Sequence, residues 1–327
     1  MEQGIPIVVS GIRATGRLHL GNYFGALRNF SPLQEGNKCY FFVADYHTLT
    51  TAPDPDILRQ YRLPIVKFFL ATGIDPSKST IFYQSGLPEV AELTLLLGMV
   101  VSVAELNRCT TFKEMVAKNP DNVNHGLFTY PVLMAADIII HKATLVPVGH
   151  DQLQHLEMTR SFARRFNRQY TDIFPVPTAL EQEAIRIPGL DGNKMGKSDD
   201  NAIDLLDTPQ TVEEKIKTAL TDKERARRND PGNPDERCAS IFPLLQLIAD
   251  DEHIIQVRQD CRSGQLACVD CKQKTAMLIN ELLEPIQAAY ANTSDQDALD
   301  VLNQGTQEAK KSAQQTLSEV RQAMGLE

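Results

Sequence analysis

Three uninterrupted apolar runs limit what this chain can fold into more than any other feature: Ile5-Pro6-Ile7-Val8-Val9, Cys39-Tyr40-Phe41-Phe42-Val43-Ala44 and Thr80-Ile81-Phe82-Tyr83. Runs without polar alternation read as strands buried on both faces. Helix-period segments separate them at 22–30 and 54–72, the second with Gly73 as its stop. Strand, helix and strand in that order demand a parallel sheet with right-handed crossovers, which puts functional loops beyond the strands' carboxyl ends. Further helical patterns lie at 88–108, 131–141 and 153–166, and a short strand at 145–148 leads into Gly149-His150-Asp151-Gln152. From 177 to 200, Pro188, Gly189, Gly192 and Gly196 stand among adjacent aspartates, which describes an exposed, mobile loop and a domain boundary. Beyond it 212–220, 239–249, 272–291 and 295–324 read as helices. The expected class is α/β, with a Rossmann-like parallel-sheet domain over residues 1–195 and an α-helical domain over 196–327.

The 327 residues exceed one ordinary core, in keeping with two domains. A formal charge of −9 argues against indiscriminate nucleic-acid binding, because phosphate contacts need clustered cations, so DNA is not an expected partner. Local patches exist: Arg160, Arg164, Arg165 and Arg168 recur at helical spacing, and Lys223, Arg225, Arg227 and Arg228 form a second group. Met1-Glu2-Gln3 carries no basic leader, and the most apolar stretch, 93–103, is far short of the roughly 18 residues a membrane helix needs. The expectation is a cytoplasmic chain with no membrane partner and with its thiols reduced.

The stretch Ser10 to Asn22, SGIRATGRLHLGN, follows the first strand and opens a helix. It places backbone amides and a positive helix end at a strand's carboxyl edge, where a phosphate fits. Its glycines, at 11, 16 and 21, match neither a Walker loop nor the dinucleotide fingerprint. His19, two residues before Gly21, is expected to face the same anion. A second stretch, Gly192-Asn193-Lys194-Met195-Gly196-Lys197-Ser198, sets two lysines three apart with no carboxylate between them. Such lysines repel unless an anion comes between them, and on a loop they can stabilise charge building on a leaving polyphosphate.

Four of the six cysteines, Cys238, Cys261, Cys268 and Cys271, fall in one short window where chance would place fewer than one. Four thiolates mean a metal. Zinc and a [4Fe–4S] cluster both accept four cysteines, and the spacing does not separate them.

His19-Leu20-Gly21-Asn22 resembles the "HIGH" signature, and Lys194 to Ser198 the "KMSKS" loop, of class I aminoacyl-tRNA synthetases. Asp45-Tyr46-His47, Gly73-Ile74-Asp75-Pro76, the block from Tyr130 to Asp137 and the block from Val146 to Gln152 narrow the resemblance to the bacterial tryptophanyl-tRNA synthetases, from about Ile7 onward. The resemblance implies a ligase that activates L-tryptophan with ATP to an adenylate plus pyrophosphate, then passes it to tRNA(Trp). It implies that Arg13, Ala14, Thr15, His19, Gly21 and Asn22 surround the triphosphate and ribose, that Gly149, His150 and Asp151 contact the nucleoside, and that Ile187 lies against adenine. Lys194, Met195, Gly196, Lys197 and Ser198 form the phosphate loop, with Mg²⁺ carried on the phosphates. The resemblance also implies that Asp137 is the indole acceptor, that Met134, Val146 and Val148 flank the ring, and that Tyr130, His47 and Gln152 lie near the amino-acid backbone. Indole has one polar atom, a donor, so one acceptor inside apolar walls suffices.

The same resemblance implies an anticodon-binding role for the helical domain, a homodimer, and a [4Fe–4S] cluster on the four cysteines, since some family members carry this spacing after a similar RRxDPGNP lead-in. Lys223, Arg225, Arg227 and Arg228 are then expected to meet the anticodon stem. Two departures stand out: Ala14 where the family usually has proline, and Gly196 where the loop usually has serine. The second predicts a modest loss of rate. The rival readings are tyrosyl activation, which calls for polar partners to a hydroxyl, and a tryptophan-sensing regulator without catalysis.

Overall fold

The structure, a computed structural model, describes residues 4–51, 54–149, 152–181 and 187–327. The chain forms two compact units: residues 1–16, 30–184 and 293–327 make the first, and 17–29 with 185–292 the second. The division differs from the boundary expected at 195/196. The helix expected at 295–324 belongs to the sheet-bearing unit, and the stretch from Ser10 to Asn22 is split after Gly16.

In the first unit, strands β1 (Ile7–Ile12), β2 (Lys38–Val43), β3 (Ser79–Tyr83), β4 (Leu145–Val148) and β5 (Thr178–Glu181) form a parallel sheet in the order β3-β2-β1-β4-β5. Val9 pairs with Tyr40, Phe41 with Ile81, and Leu145 with Thr178. The outward steps β1 to β2 to β3 and β1 to β4 to β5 make β1 the switch point, where such sheets bind ligands. Both faces of β2 are buried: Phe41 stacks on Phe30 at 4.7 Å, while Tyr40 and Phe42 enter the core with Val9, Phe82 and Val146. The expected apolar runs are therefore strands. β5, with the sequence TALE, lies inside the expected loop, because four residues without a bulky apolar run give no strand signal.

Helix Pro55–Ala71 begins where Asp54 accepts from the Asp56 amide at 2.9 Å and Pro55 takes the first turn, whose amide needs no partner. The expected helix over 88–108 is two, Pro88–Gly98 and Val103–Leu106, the second capped by Ser102. Helix His125–Ile139 starts six residues before the pattern suggested, capped by Asn124 on the Leu127 amide at 2.9 Å. Helix Asp295–Ala323, opened by a reciprocal Ser294–Asp297 capping box, packs against β3 so closely that a Cβ built on Gly305 would lie 1.9 Å from the Ile81 carbonyl oxygen.

The second unit is mostly helical: Pro209–Thr218, Ile241–Ile248, Asp251–Ser263 and Cys268–Asn292. Phe242, Leu245, Val257 and Leu266 form one of its cores. Helix Asp251–Ser263 gave no periodic signal in the sequence, since Val257 alone of its residues is buried. Among the described residues no helix is long and apolar enough to cross a membrane.

Candidate functional site

In the first unit Arg13, His47, Val148 and Gln152 stand at or just beyond the carboxyl ends of β1, β2 and β4, as the topology requires, and Tyr130, Met134 and Asp137 come from helix His125–Ile139. They line a cavity of about 340 Å³ whose walls include Val9, Gly11, Phe42, Met134, Val146 and Val148. Gly11 is needed for close approach: a Cβ there would meet the Phe42 ring at 2.6 Å. Tyr130, Met134 and Asp137 recur at four and three residues along helix His125–Ile139, so one helical face presents all three to the cavity.

Asp137 is 5% exposed. Gln84 Nε2 donates to both of its carboxylate oxygens at 2.8 Å, and His47 Nε2 lies 2.9 Å from Oδ2. Burial pushes the Asp137 carboxyl upward while His47 and Gln84 pull it down. Gln84 Oε1 also accepts the His47 amide at 3.2 Å, which ties the ends of β2 and β3 to the carboxylate. His47, expected near the amino-acid backbone, is thus engaged with Asp137, the expected indole acceptor. Gln84 was missed in the sequence. Its signal is a polar residue directly after the apolar run of β3, at a strand's carboxyl end.

A second polar group borders the same cavity. Tyr130 Oη is 2.5 Å from His155 Nε2, and His155 Nδ1 is 2.8 Å from Gln152 Oε1. Cys109 Sγ sits 3.5 Å from both Tyr130 Oη and His155 Nε2. Burial holds the Tyr130 phenol well above its usual range, so it stays protonated. Cys109 and His155 were also missed. His155, three residues after Gln152, shares its helical face, which is the available sequence signal.

Beyond β1, the Ala14 amide donates to Thr48 Oγ1 at 2.9 Å and Arg13 reaches Thr51 Oγ1 at 3.2 Å. Arg13 Nε is buried without a partner in the described structure, and burial lowers the guanidinium's pKa. A cation so placed at a cavity wall suits an anionic ligand. Thr15 is exposed beside it, and Gly149 accepts the Gln152 amide at 2.9 Å. His150 and Asp151 lie outside the described residues.

The second unit brings the two signatures together. His19 caps the turn Leu20–Asn22: its Nδ1 accepts from the Gly21 amide at 3.1 Å, and its amide donates to Asn22 Oδ1 at 3.1 Å. A Cβ on Gly21 would lie 2.8 Å from that ring, so glycine is required for the ring to fold back over the turn. Burial first, then Lys197, lowers the His19 pKa to about 4. The ring is therefore neutral near pH 7, and since Nδ1 accepts, Nε2 carries the proton as a donor. The chain continues through a wider π turn, Tyr23–Leu27, in place of the regular helix expected from 22.

Residues 18–20 are zipped to 203–205 by Leu20 N to Ile203 O and Leu205 N to Leu18 O, both 2.9 Å. The preceding loop turns back on itself, with the Met195 amide donating to the Ile187 carbonyl at 2.9 Å; Ile187 and Met195 are both buried. Asn201, 2% exposed, organises it: Oδ1 accepts the Gly196 amide at 2.8 Å and Nδ2 donates to Asp191 at 2.7 Å and to the Lys194 carbonyl at 3.2 Å. Asn201 too was missed, hidden among the aspartates of a loop read as mobile. Gly196 is extended, at φ −154°, and a Cβ there would stand 2.9 Å from Asp199 Oδ2. The Lys194 side chain is exposed. Of Ser198 only the backbone is described.

Cys238, Cys261, Cys268 and Cys271 are free thiols that line one small cavity. Burial, then the other three sulfurs, pushes the Cys271 thiol up to about 12. Among the described residues no group of three or more His, Cys, Asp or Glu side chains is arranged to hold a metal ion. Arg225, expected to reach toward RNA, is turned inward: Nη1 donates to the Leu266 carbonyl at 2.9 Å and lies 3.7 and 3.6 Å from Cys261 and Cys268 Sγ, and Nη2 donates to the Arg228 carbonyl at 2.8 Å.

The family described as tRNA synthetases class I (W and Y) matches residues 1–284. The tryptophan–tRNA ligase of Thermotoga maritima is 43% identical over 325 residues, 98% of this chain and 99% of the relative. That of Porphyromonas gingivalis is 46% identical over 328 residues, 97% of this chain and 98% of the relative. Among solved structures, the tryptophanyl-tRNA synthetase from Campylobacter jejuni complexed with ADP and tryptophane aligns with a TM-score of 0.88 at 33% identity, covering 98% of this chain and 100% of that one.

Proposed function

The chain belongs to the class I tRNA synthetases for tryptophan and tyrosine, and we propose how the residues of its two units divide the work of its reaction. Its activity is that of a tryptophan–tRNA ligase: tryptophan and ATP give tryptophanyl-adenylate and pyrophosphate, and the aminoacyl group passes to tRNA(Trp). The tyrosyl and regulator readings give way to the run of tryptophan ligases among its relatives.

In the first unit the cavity takes the amino acid. Asp137 accepts the indole N–H, and the observation that carries this reading is a buried carboxylate, pinned by Gln84 and His47, inside walls formed by Met134, Val146 and Val148. A carboxylate has capacity for a further donor after these bonds. His47 holds that acceptor in place. Tyr130 and Gln152 serve the ammonium end. Arg13, Ala14 and Thr15 serve the triphosphate and ribose, and Gly149, His150 and Asp151 the nucleoside.

In the second unit Ile187 meets adenine, Gly21 and Asn22 keep the signature turn in shape, and His19 donates from Nε2 to a phosphate oxygen as a neutral group. As the substrate carboxylate attacks the α-phosphorus, negative charge grows on the departing pyrophosphate. Lys194 and Lys197 stabilise it, carried by the loop from Met195 through Gly196 to Ser198. Mg²⁺ enters with ATP and helps neutralise its phosphates.

The four cysteines are assigned to a [4Fe–4S] cluster that fastens the helices of the second unit, with zinc as the competing occupant. The donor set supports this reading: four thiols border one cavity, and spare thiols in a reduced chain have no other shared task. The helical region from 196 onward is assigned to anticodon binding, with Lys223, Arg227 and Arg228 as its cations and Arg225 as an internal brace. A homodimer is supported by Leu95 in helix Pro88–Gly98, Met99 just after it and Val103 at the start of the next helix, which are 61 to 64% exposed. A cytoplasmic location accords with the free thiols.

ATP–pyrophosphate exchange tests the assignment of the pocket. Exchange is expected with tryptophan and not tyrosine, and Asp137→Ala should lower kcat/KM for tryptophan by roughly a hundredfold or more, since a site built around one hydrogen bond loses most when that bond is removed. Unchanged exchange in that variant overturns the role of Asp137.

A further inference from the structure

The hydrogen-bonded chain Gln152–His155–Tyr130 has a direction, and chemistry fixes it. Gln152 Oε1 can only accept, so His155 Nδ1, 2.8 Å away, carries a proton and donates to it. A neutral imidazole protonated at Nδ1 presents its lone pair at Nε2, and that nitrogen is 2.5 Å from Tyr130 Oη. The phenol then donates into the wall. Its oxygen keeps only lone pairs for the cavity that Tyr130, Gln152 and His155 all line. Cys109 Sγ, 3.5 Å from both atoms, packs against this junction without reversing it.

We propose that His155 is a positioning residue for the amino-acid substrate: by accepting the Tyr130 proton it converts a two-way hydroxyl into an acceptor that selects the substrate's ammonium. An ammonium has three donors and no acceptor, so a hydroxyl free to point its own hydrogen into the cavity would repel it part of the time. Selection at this end is independent of the indole end, which Gln84 and His47 fix through Asp137. His155 is 1% exposed, so the ring has little room to reorient. The inference rests on the reading that Tyr130 meets the substrate ammonium.

The test compares L-tryptophan with indole-3-propionate, which keeps the indole and carboxylate but lacks the ammonium. The chain contains no tryptophan, so binding of either indole to the full-length protein is read from the ligand's own fluorescence anisotropy. Tyr130→Phe and His155→Leu should each lower the ratio of the two affinities about tenfold or more, a lost hydrogen bond to a charged group. The double variant should lose no more than either alone, and His155→Gln, whose amide oxygen can accept in place of Nε2, should recover most of the ratio. If the leucine variant does not fold, His155→Asn, too short to reach Tyr130, reads the same loss. A fall in the ratio for Tyr130→Phe but not for the histidine variants overturns the proposal and leaves the Tyr130 reading standing. Equal weakening of both ligands by His155→Leu reduces His155 to packing and overturns the proposal. No change in Tyr130→Phe overturns the underlying reading, and the proposal with it.

Discussion

His141 and His19 are buried rings that differ in use but share a consequence. His141 is 2% exposed, stacked 4.1 Å from Tyr40, with Nδ1 bonded to Ser312 at 3.2 Å and Nε2 without a partner in the described structure. Burial first, then Lys38, holds its pKa down to about 3, as burial and Lys197 hold His19 near 4. Each ring is therefore harder to protonate folded than unfolded. Their contribution to stability is full above about pH 6.5 and is lost as pH falls toward 4 for His19 and 3 for His141, with a limiting slope of about 1.4 kcal/mol per pH unit for a fully linked group. Urea unfolding followed from pH 7 to pH 4.5 should show this loss, and His141→Gln should flatten it; an unchanged slope means the ring is not the titrating group. His19, His47, Tyr130, Asp137 and Gln152 were legible in the sequence because motif blocks single them out. Gln84, His155 and Asn201 were not. They act on other side chains or on loop backbone, and only the fold brings them to their partners.

Among the elements, β1, β2, β3 and β4 could be read directly, because a strand buried on both faces must be apolar throughout. β5 and helix Asp251–Ser263 could not be read, one too short and mixed, the other with a single buried side chain. Helix Asp295–Ala323 was read correctly as a helix and placed in the wrong unit. Periodicity reports that an apolar face exists, not what it packs on. What it packs on is written in Gly305, whose missing side chain lets the helix backbone approach Ile81. Gly305→Val should cost about 1 to 3 kcal/mol, the ordinary cost of overpacking a core, or force the helix off β3. Thermal unfolding reads the loss, and a melting temperature unchanged from the parent chain removes the contact from the stability of that unit.

For the whole molecule the two units differ in what can hold them. The first has a sheet and a large apolar core. The second is mostly helical, and the four thiols sit beside its small apolar cluster around Phe242. A cluster bound there, as proposed, would become part of the folding free energy of that unit. Protein purified without oxygen should carry about four irons per chain and a broad visible absorbance, and Cys268→Ser should lose both and melt at lower temperature; one zinc per chain reassigns the site, and neither metal removes it.

Helix Asp295–Ala323 follows β3 in the chain by more than 200 residues. A ribosome making this protein therefore extrudes the marginal strand of the sheet long before the helix that will lie on it, with residues 185–292, the larger part of the second unit, synthesised in between. During that interval β3 offers its backbone to any other strand nearby, the ordinary hazard of an unguarded edge. Nascent chains stopped before residue 295 should for this reason be wards of chaperones, and the protein's yield in a cell should depend on how quickly its final stretch is translated.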